Sequence, residues 1–192
     1  MMEVIQLFKP KFRTKQIVKE IEECCEKGWT GLGYKTEKFE TAFKDYTLFD
    51  NAHFLSSATA GLHLALKVFK REENWDDGDE IITTPLTFIS TNHSILYENL
   101  TPVFADVDES LCLDPESVIK NITPKTKAVI FVGMGGNMGE YNKIVDICRQ
   151  HDIKLIFDAA HCAGTKATRV FHGVAAAETQ AGCHIPVDCM GA

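Results

Sequence analysis

The chain has 192 residues, of which 45% are hydrophobic and 24% charged, enough to bury the core of one ordinary domain and a small appendage. Its net charge of −7, with 20 basic residues scattered among 27 acidic ones, argues against a nucleic-acid partner. No apolar run reaches the roughly 20 residues of a membrane span, and the first residues lack the features of a signal peptide. The seven cysteines show no metal-ligand spacing. We therefore expect a cytoplasmic protein with no metal and no membrane partner.

Two amphipathic helices are predicted near the N-terminus. The stretch RTKQIVKEIEECCEKG places apolar residues at helical spacing between charges and ends on Gly28. The stretch KTEKFETAFKDYTLFD follows, with Phe39 and Phe43 four positions apart on one face. We expect residues 1–36 to form an N-terminal helical segment.

From residue 52 onward, short apolar runs bounded by Gly, Pro, Asp or Thr alternate with helical stretches. Such alternation predicts βαβ units, and hence an α/β fold with a mostly parallel sheet and helices on both faces. The predicted strands lie in 52–58, 79–85, 101–107, 127–133 and 154–159, and the predicted helices in 59–69, 88–99, 114–122 and 139–151.

Ligands of parallel sheets bind at the carboxyl ends of the strands, so the residues at these ends are candidates for a binding site. In SSATAG, residues 56–61, the Thr59 hydroxyl and backbone N–H groups suit a phosphate at a helix N-terminus, but Ser57 or Thr59 serving only as a helix cap is the commoner case. Phe88 is either a core residue, which local sequence favours, or a ring that faces a flat ligand.

Asp158 ends the predicted last strand, where a carboxylate has several uses. It can cap a turn, hold a ribose, bind a metal or accept a hydrogen bond from a protonated heterocyclic nitrogen, as pyridoxal phosphate requires. His161 follows three residues later and fits beside the same ring, although an isolated histidine is more often structural. Local chemistry leaves these alternatives open.

The loop GMGGNMG, residues 133–139, predicts a different ligand. Gly133, Gly135 and Gly139 follow a strand and precede a helix, and Asp158 lies about 20 positions on, which resembles a dinucleotide-binding fingerprint. An NAD(P)-dependent oxidoreductase is therefore one alternative. The spacing departs from GxGxxG, and Asn137 and Met138 are bulky where a pyrophosphate should approach.

Six motifs occur together in one order: GWTGLGYKTEKFE, SSATAGLHLAL, GDEIITTPLTFIST, TPVFADVD, ITPKTKAVI and DAAHCAGT. From about Lys27 to Lys166 the chain resembles the DegT/DnrJ/StrS-type sugar aminotransferases. These are pyridoxal-phosphate enzymes of fold type I that aminate nucleotide-linked keto-sugars. The resemblance implies a partial large, cofactor-binding domain over residues 37–168, and a protein of amino-sugar biosynthesis whose partners are a nucleotide sugar, an amino donor and a second copy of the chain.

The resemblance also implies roles for individual residues. Ala58 and Thr59 would form the phosphate cradle, and Phe88 would stack on the cofactor ring. Asp158 would be the partner of the pyridine nitrogen, and is the one residue to which we assign a catalytic role. His161 would neighbour the ring oxygen.

The resemblance ends before the lysine that forms a Schiff base with the cofactor in this family. No lysine follows Lys166, and the corresponding window reads CHIPVD, where His184 is the one conceivable substitute. The segment 169–192 shows no convincing strand periodicity, and we expect it to be a divergent tail with the C-terminal domain absent. We therefore expect a truncated or frame-shifted, inactive aminotransferase-family chain; a non-catalytic binding or scaffold fragment is the alternative.

Overall fold

The computed structural model describes residues 11–47, 49–162 and 165, together with the backbone of 174–177. The chain divides into an N-terminal unit that ends at Phe39 and a larger unit that begins at Glu40. Within the described ranges, no helix combines the length and the apolar character that crossing a bilayer requires.

The N-terminal unit contains the first predicted helix, α1 (Thr14–Glu26), and the start of the second, α2 (Tyr34–Thr47). Gly28 lies just beyond α1 with a φ of 63°, a left-handed conformation that ends helices and favours glycine. Hydrogen bonds from Lys27 and Lys35 lower the pKa of Glu23 to about 2. Both helix predictions are confirmed.

The larger unit is a five-stranded, all-parallel sheet, which confirms the predicted α/β class. Its spatial order is β2-β1-β3-β4-β5. The strands are β1 (Glu80–Thr83), β2 (Thr101–Phe104), β3 (Thr126–Val132), β4 (Lys154–Asp158) and β5 (Val174–Ala177), and the helices are α3 (Ala58–Glu72), α4 (Ile89–Tyr97), α5 (Pro115–Asn121) and α6 (Tyr141–Gln150).

Side chains of successive strand residues point to opposite faces of the sheet and pack into two apolar layers. On one face, Ile130 and Ile156 pack with Leu62 and Leu66 of α3 and Ile95 of α4. The opposite face carries Phe131 and Phe157, which pack against Tyr141 and Ile144 of α6 and Val118 of α5. Because the central strands are buried on both faces, their sequences are continuous apolar runs rather than alternating ones.

The strand order places a topological switch point between β1 and β3. The chain leaves β1 for β2 on one side and then returns to the other side of β1 through β3. Crevices at such switch points, outside the carboxyl ends of the strands, are where open α/β sheets bind ligands. The fold therefore directs attention to the residues that follow β1, β3 and β4.

Two strand predictions were wrong. Residues 52–57 form no strand; Phe54 is half exposed, and its N–H donates to the Glu40 carboxylate at 2.8 Å instead of to a neighbouring strand. The fifth strand is Val174–Ala177, which lies in the segment that we expected to lack strand character and pairs in parallel with β4. Short apolar runs do not reveal whether a sheet edge is available to them.

Candidate cofactor site

Two helices start at the carboxyl edge of the sheet, on the face where α3 and α4 pack. Helix α4 follows the carboxyl end of β1 directly. Helix α3 runs antiparallel to the strands, because Glu73 just beyond its C-terminus forms a 2.8 Å ion pair with Lys154 at the amino end of β4. Its first residues, Ala58 and Thr59, therefore lie toward the carboxyl edge.

The electrostatics of this edge suit an anion. The N-terminal ends of helices carry partial positive charge, and the first turns of α3 and α4 contain no acidic residue. On the opposite face, α6 begins after Glu140 and α5 carries Glu116 in its first turn. The first turns of α3 and α4 therefore favour an anionic group, whereas the carboxylates at the starts of α5 and α6 disfavour one.

Helix α3 is capped by Ser57. The Ser57 hydroxyl accepts a hydrogen bond from the Ala60 N–H at 3.1 Å. The half-buried Thr59 hydroxyl thus has no capping duty, and it has no hydrogen-bond partner among the described residues.

Asp158 ends β4 and is 5% exposed. Its Oδ2 accepts a hydrogen bond from the Thr91 hydroxyl at 2.7 Å, and its Oδ1 accepts one from the Ala160 N–H at 3.2 Å. The ion pairs found among the described residues do not include Asp158. A buried carboxylate with only neutral donors keeps its charge available for a further donor.

Phe88 lies on the same side of the sheet as Asp158. It is the N-cap residue of α4, and its carbonyl accepts a 3.1 Å hydrogen bond from the N–H of Thr91, whose hydroxyl reaches Asp158. The Phe88 side chain is 73% exposed. The interpretation of Phe88 as a core residue, which local sequence favoured, was therefore wrong.

His161 lies in the turn after Asp158, with its side chain exposed. Its Nδ1 accepts a hydrogen bond from the Gly135 N–H at 3.2 Å. In a neutral imidazole one nitrogen accepts and the other donates, so this contact assigns the proton to Nε2. The exposed edge of the ring is then a hydrogen-bond donor.

Two of the three glycines of the fingerprint, Gly133 and Gly139, have packing reasons that involve no nucleotide, and Gly135 has a left-handed φ of 62° that favours glycine. A Cβ on Gly133 would lie 2.1 Å from the Cys162 Sγ, and a Cβ on Gly139 would lie 2.4 Å from the Ser110 Oγ. The helix that follows begins after Glu140, a carboxylate where a pyrophosphate would bind. These contacts remove the main support for a dinucleotide site.

We predict that Gly133→Ala destabilises the protein by about 2 kcal/mol through overpacking. The φ of −79° at Gly133 suits any residue, so the cost arises from the contact with Cys162 and not from backbone strain. Urea denaturation measures the effect. In a protein that already carries Cys162→Ala, Gly133→Ala should cost about half as much free energy of unfolding as it does in the unchanged protein. Gly31→Ala, where a Cβ meets no atom within 4 Å, is the control. Additive losses would contradict the contact.

Two cavities among the described residues lie away from this edge. One, of about 520 Å³, is lined by Trp75, Lys127 and His151 at the amino ends of the strands. The other, of about 530 Å³, lies between α5 and α6 beside Asp114 and Glu140. Both lysines of the first cavity are paired, Lys127 with Asp79 at 3.7 Å and Lys154 with Glu73 at 2.8 Å. Chemistry rather than concavity therefore identifies the α3–α4 edge as the candidate site.

Sequence reasoning missed Thr91. A threonine inside a helical stretch carries no distinctive pattern, and only the fold brings it to Asp158, which is 67 positions away. Two residues that we considered as sources of an amine or its substitute, Lys166 and His184, lie outside the described residues.

Known proteins share this architecture. A model of the DegT/DnrJ/EryC1/StrS aminotransferase family matches residues 12–179, beyond the Lys166 at which we ended the resemblance. The Spore coat polysaccharide biosynthesis protein SpsC of Bacillus subtilis is 39% identical over 152 residues, which are 79% of this chain and 38% of SpsC. The chain thus spans about two fifths of the length of this curated relative.

Two solved structures carry informative ligands. NtdA from Bacillus subtilis, with the cofactor PMP (pyridoxamine phosphate) bound, has a TM-score of 0.72 and 25% identity, with 77% of this chain and 33% of NtdA covered. DesI, solved in the presence of its TDP-sugar product, has a TM-score of 0.69 and 28% identity, with 79% and 38% covered. The order of motifs, the parallel sheet and the match over residues 12–179 agree: this chain belongs to the DegT/DnrJ/EryC1/StrS aminotransferase family.

Proposed function

We propose that this chain holds pyridoxal phosphate or pyridoxamine phosphate at the α3–α4 edge, within a protein that aminates nucleotide-linked keto-sugars. The observation that carries the proposal is the buried Asp158 carboxylate at the end of β4, with hydrogen bonds only from neutral groups. The PMP of NtdA and the TDP-sugar of DesI support the ligand classes.

The residues of the edge fit the cofactor. A carboxylate offers about four acceptor positions, and Asp158 uses two of them, so it can also accept the N–H of a protonated pyridine ring. The N-terminus of α3, which begins at Ala58, and the Thr59 hydroxyl suit its phosphate. The exposed Phe88 ring offers a face for stacking, and His161 Nε2–H offers a donor to the ring oxygen.

The chain's own groups act by holding and orienting. When bound, the cofactor supplies an electron sink for the bond changes at the amino-bearing carbon. Asp158 keeps the proton on the pyridine nitrogen, which is what makes the ring electron-withdrawing. Thr59 and the α3 N-terminus would hold the phosphate of the cofactor.

Binding of the cofactor without turnover is the second candidate function. In the family, a lysine attaches the cofactor, whereas no lysine follows Lys166 within these 192 residues. The proposed site can therefore retain the cofactor by noncovalent contacts alone.

A titration with pyridoxamine phosphate tests the proposal. This form has no aldehyde and cannot react with surface lysines, so a signal reports noncovalent binding. We expect saturable binding of one molecule per chain, followed by fluorescence, and no saturable binding of NADPH or NADH. Binding of a nicotinamide cofactor in place of pyridoxamine phosphate would refute the assignment.

We also propose a homodimer and a cytoplasmic location. Several apolar side chains of the larger unit are exposed, and the family resemblance implies a site at a subunit interface. The five described cysteines form no disulfide with one another, as a reducing compartment favours. Light scattering should detect self-association as the protein concentration rises, and a monomer at every concentration would contradict the dimer. Fractionation of cells tests the cytoplasmic location.

A further inference from the structure

A chain of two hydroxyl groups reaches Asp158 from α4. The Thr91 Oγ1 lies 2.7 Å from Asp158 Oδ2, and the Thr87 Oγ1 lies 2.8 Å from the Thr91 Oγ1. Thr91 is completely buried, and Asp158 is 5% exposed. The contact therefore lies in the interior of the protein, where a hydrogen bond is stronger than in water.

The direction of both hydrogen bonds follows from counting protons. An ionised carboxylate only accepts, so the Thr91 hydroxyl must donate to Asp158. A hydroxyl has a single proton, so the 2.8 Å contact between the threonines requires Thr87 to donate to Thr91. The two bonds point the same way, toward the negative charge, and each polarises the next.

We propose that Thr91 is a positioning residue for the cofactor site, and that Thr87 reinforces it. This inference rests on the proposed function. Thr91 holds Oδ2 of Asp158 from the α4 side while the Ala160 N–H holds Oδ1, so the carboxylate cannot rotate away from a ring nitrogen. Through its own N–H, Thr91 also anchors the carbonyl of Phe88. One residue thus fixes the backbone under the stacking ring and the acceptor of the ring nitrogen together.

A neutral donor at this position has a chemical advantage over a cation. Lysine or arginine in place of Thr91 would neutralise the carboxylate and compete with the protonated pyridine nitrogen for it. A hydroxyl orients the carboxylate without placing a positive charge beside it. The full charge then remains available to the cofactor.

Five proteins test the inference: the unchanged protein, Thr91→Val, Thr91→Ser, Thr87→Val and Ser94→Ala. Valine keeps the shape of threonine without the hydroxyl, and serine keeps the hydroxyl. Ser94 is an equally buried α4 residue whose hydroxyl donates to the carbonyl of Thr91 and does not reach Asp158. The readouts are the dissociation constant for pyridoxamine phosphate and, in the cofactor-free protein, the ¹³C chemical shift of the Asp158 carboxyl carbon.

We expect Thr91→Val to weaken pyridoxamine phosphate binding about tenfold and to shift the Asp158 carboxyl resonance. Thr91→Ser should restore both, and Ser94→Ala should change neither. Thr87→Val, at a half-buried position, should weaken binding about two- to threefold, and it serves as the test if Thr91→Val does not fold.

The outcomes separate the two proposals. If the unchanged protein binds and Thr91→Val binds equally well, Thr91 is not a positioning residue, while the cofactor site stands. If the unchanged protein does not bind pyridoxamine phosphate, the proposed function fails, and the positioning role fails with it. An unshifted Asp158 resonance in Thr91→Val would overturn the hydrogen bond itself.

Discussion

Asp158→Asn is expected to weaken pyridoxamine phosphate binding about 30- to 100-fold. Asparagine has nearly the same shape as aspartate, but it lacks the negative charge that a protonated pyridine nitrogen requires. Hydrogen bonds to charged groups contribute about 1.5–3 kcal/mol, and Asp158 is buried, so water does not replace the lost interaction. The dissociation constant and the protonation-sensitive absorbance of the pyridine ring are the measurements.

The fold should tolerate this change. The Thr91 hydroxyl can still donate to the asparagine side-chain oxygen, and only the Ala160 N–H loses its acceptor, at a cost of about 1 kcal/mol. Asp152→Asn is the matched control, because Asp152 is exposed at the amino end of β4 and its φ of 52° suits asparagine. Equal binding by both variants and the unchanged protein would remove Asp158 from the site.

The sequence predicted the part of the fold that depends on local pattern. The β3 and β4 runs are apolar because both faces of these strands are buried, and the four helices show their periodicity or their caps. The strand predicted in 52–58 was wrong because a short apolar run does not show that a neighbouring strand is available for pairing. β5 was missed because Val174–Ala177 is a weak strand former that gains its stability from pairing with β4.

The site divides in the same way. Asp158 was a candidate because it lies at the carboxyl end of a predicted parallel strand, where such sheets bind ligands, and the family resemblance supplied its role. Local sequence assigned Phe88 to the core, since it cannot show that an N-cap position leaves the ring 73% exposed. Thr91 could not be found at all, because its role depends on a contact across 67 positions. Local sequence pattern does not show which residues far apart in the chain lie in contact, and such contacts define the site.

The second large effect concerns turnover. We expect the 192-residue chain to show no transamination of nucleotide keto-sugars with glutamate, at least about a thousandfold below a family member that carries the attachment lysine. In the family that amine both holds the cofactor and moves the proton at the substrate carbon. The residues proposed here supply no replacement: Asp158 would be committed to the ring nitrogen, Phe88 is apolar, and His161 Nδ1 accepts from Gly135.

Borohydride reduction after incubation with pyridoxal phosphate, followed by peptide mapping, shows which lysines form a Schiff base with the cofactor. Scattered, substoichiometric adducts on exposed lysines are expected, together with no adduct after residue 166, where the sequence has no lysine. Prior saturation with pyridoxamine phosphate should leave these adducts unchanged, because they lie outside the site. Turnover comparable to that of an ordinary aminotransferase, abolished by Asp158→Ala, would contradict the prediction that this chain has no lysine able to attach the cofactor. Lys166 would then be the first lysine to replace, and a single stoichiometric adduct there, blocked by pyridoxamine phosphate, would identify it as the attachment residue.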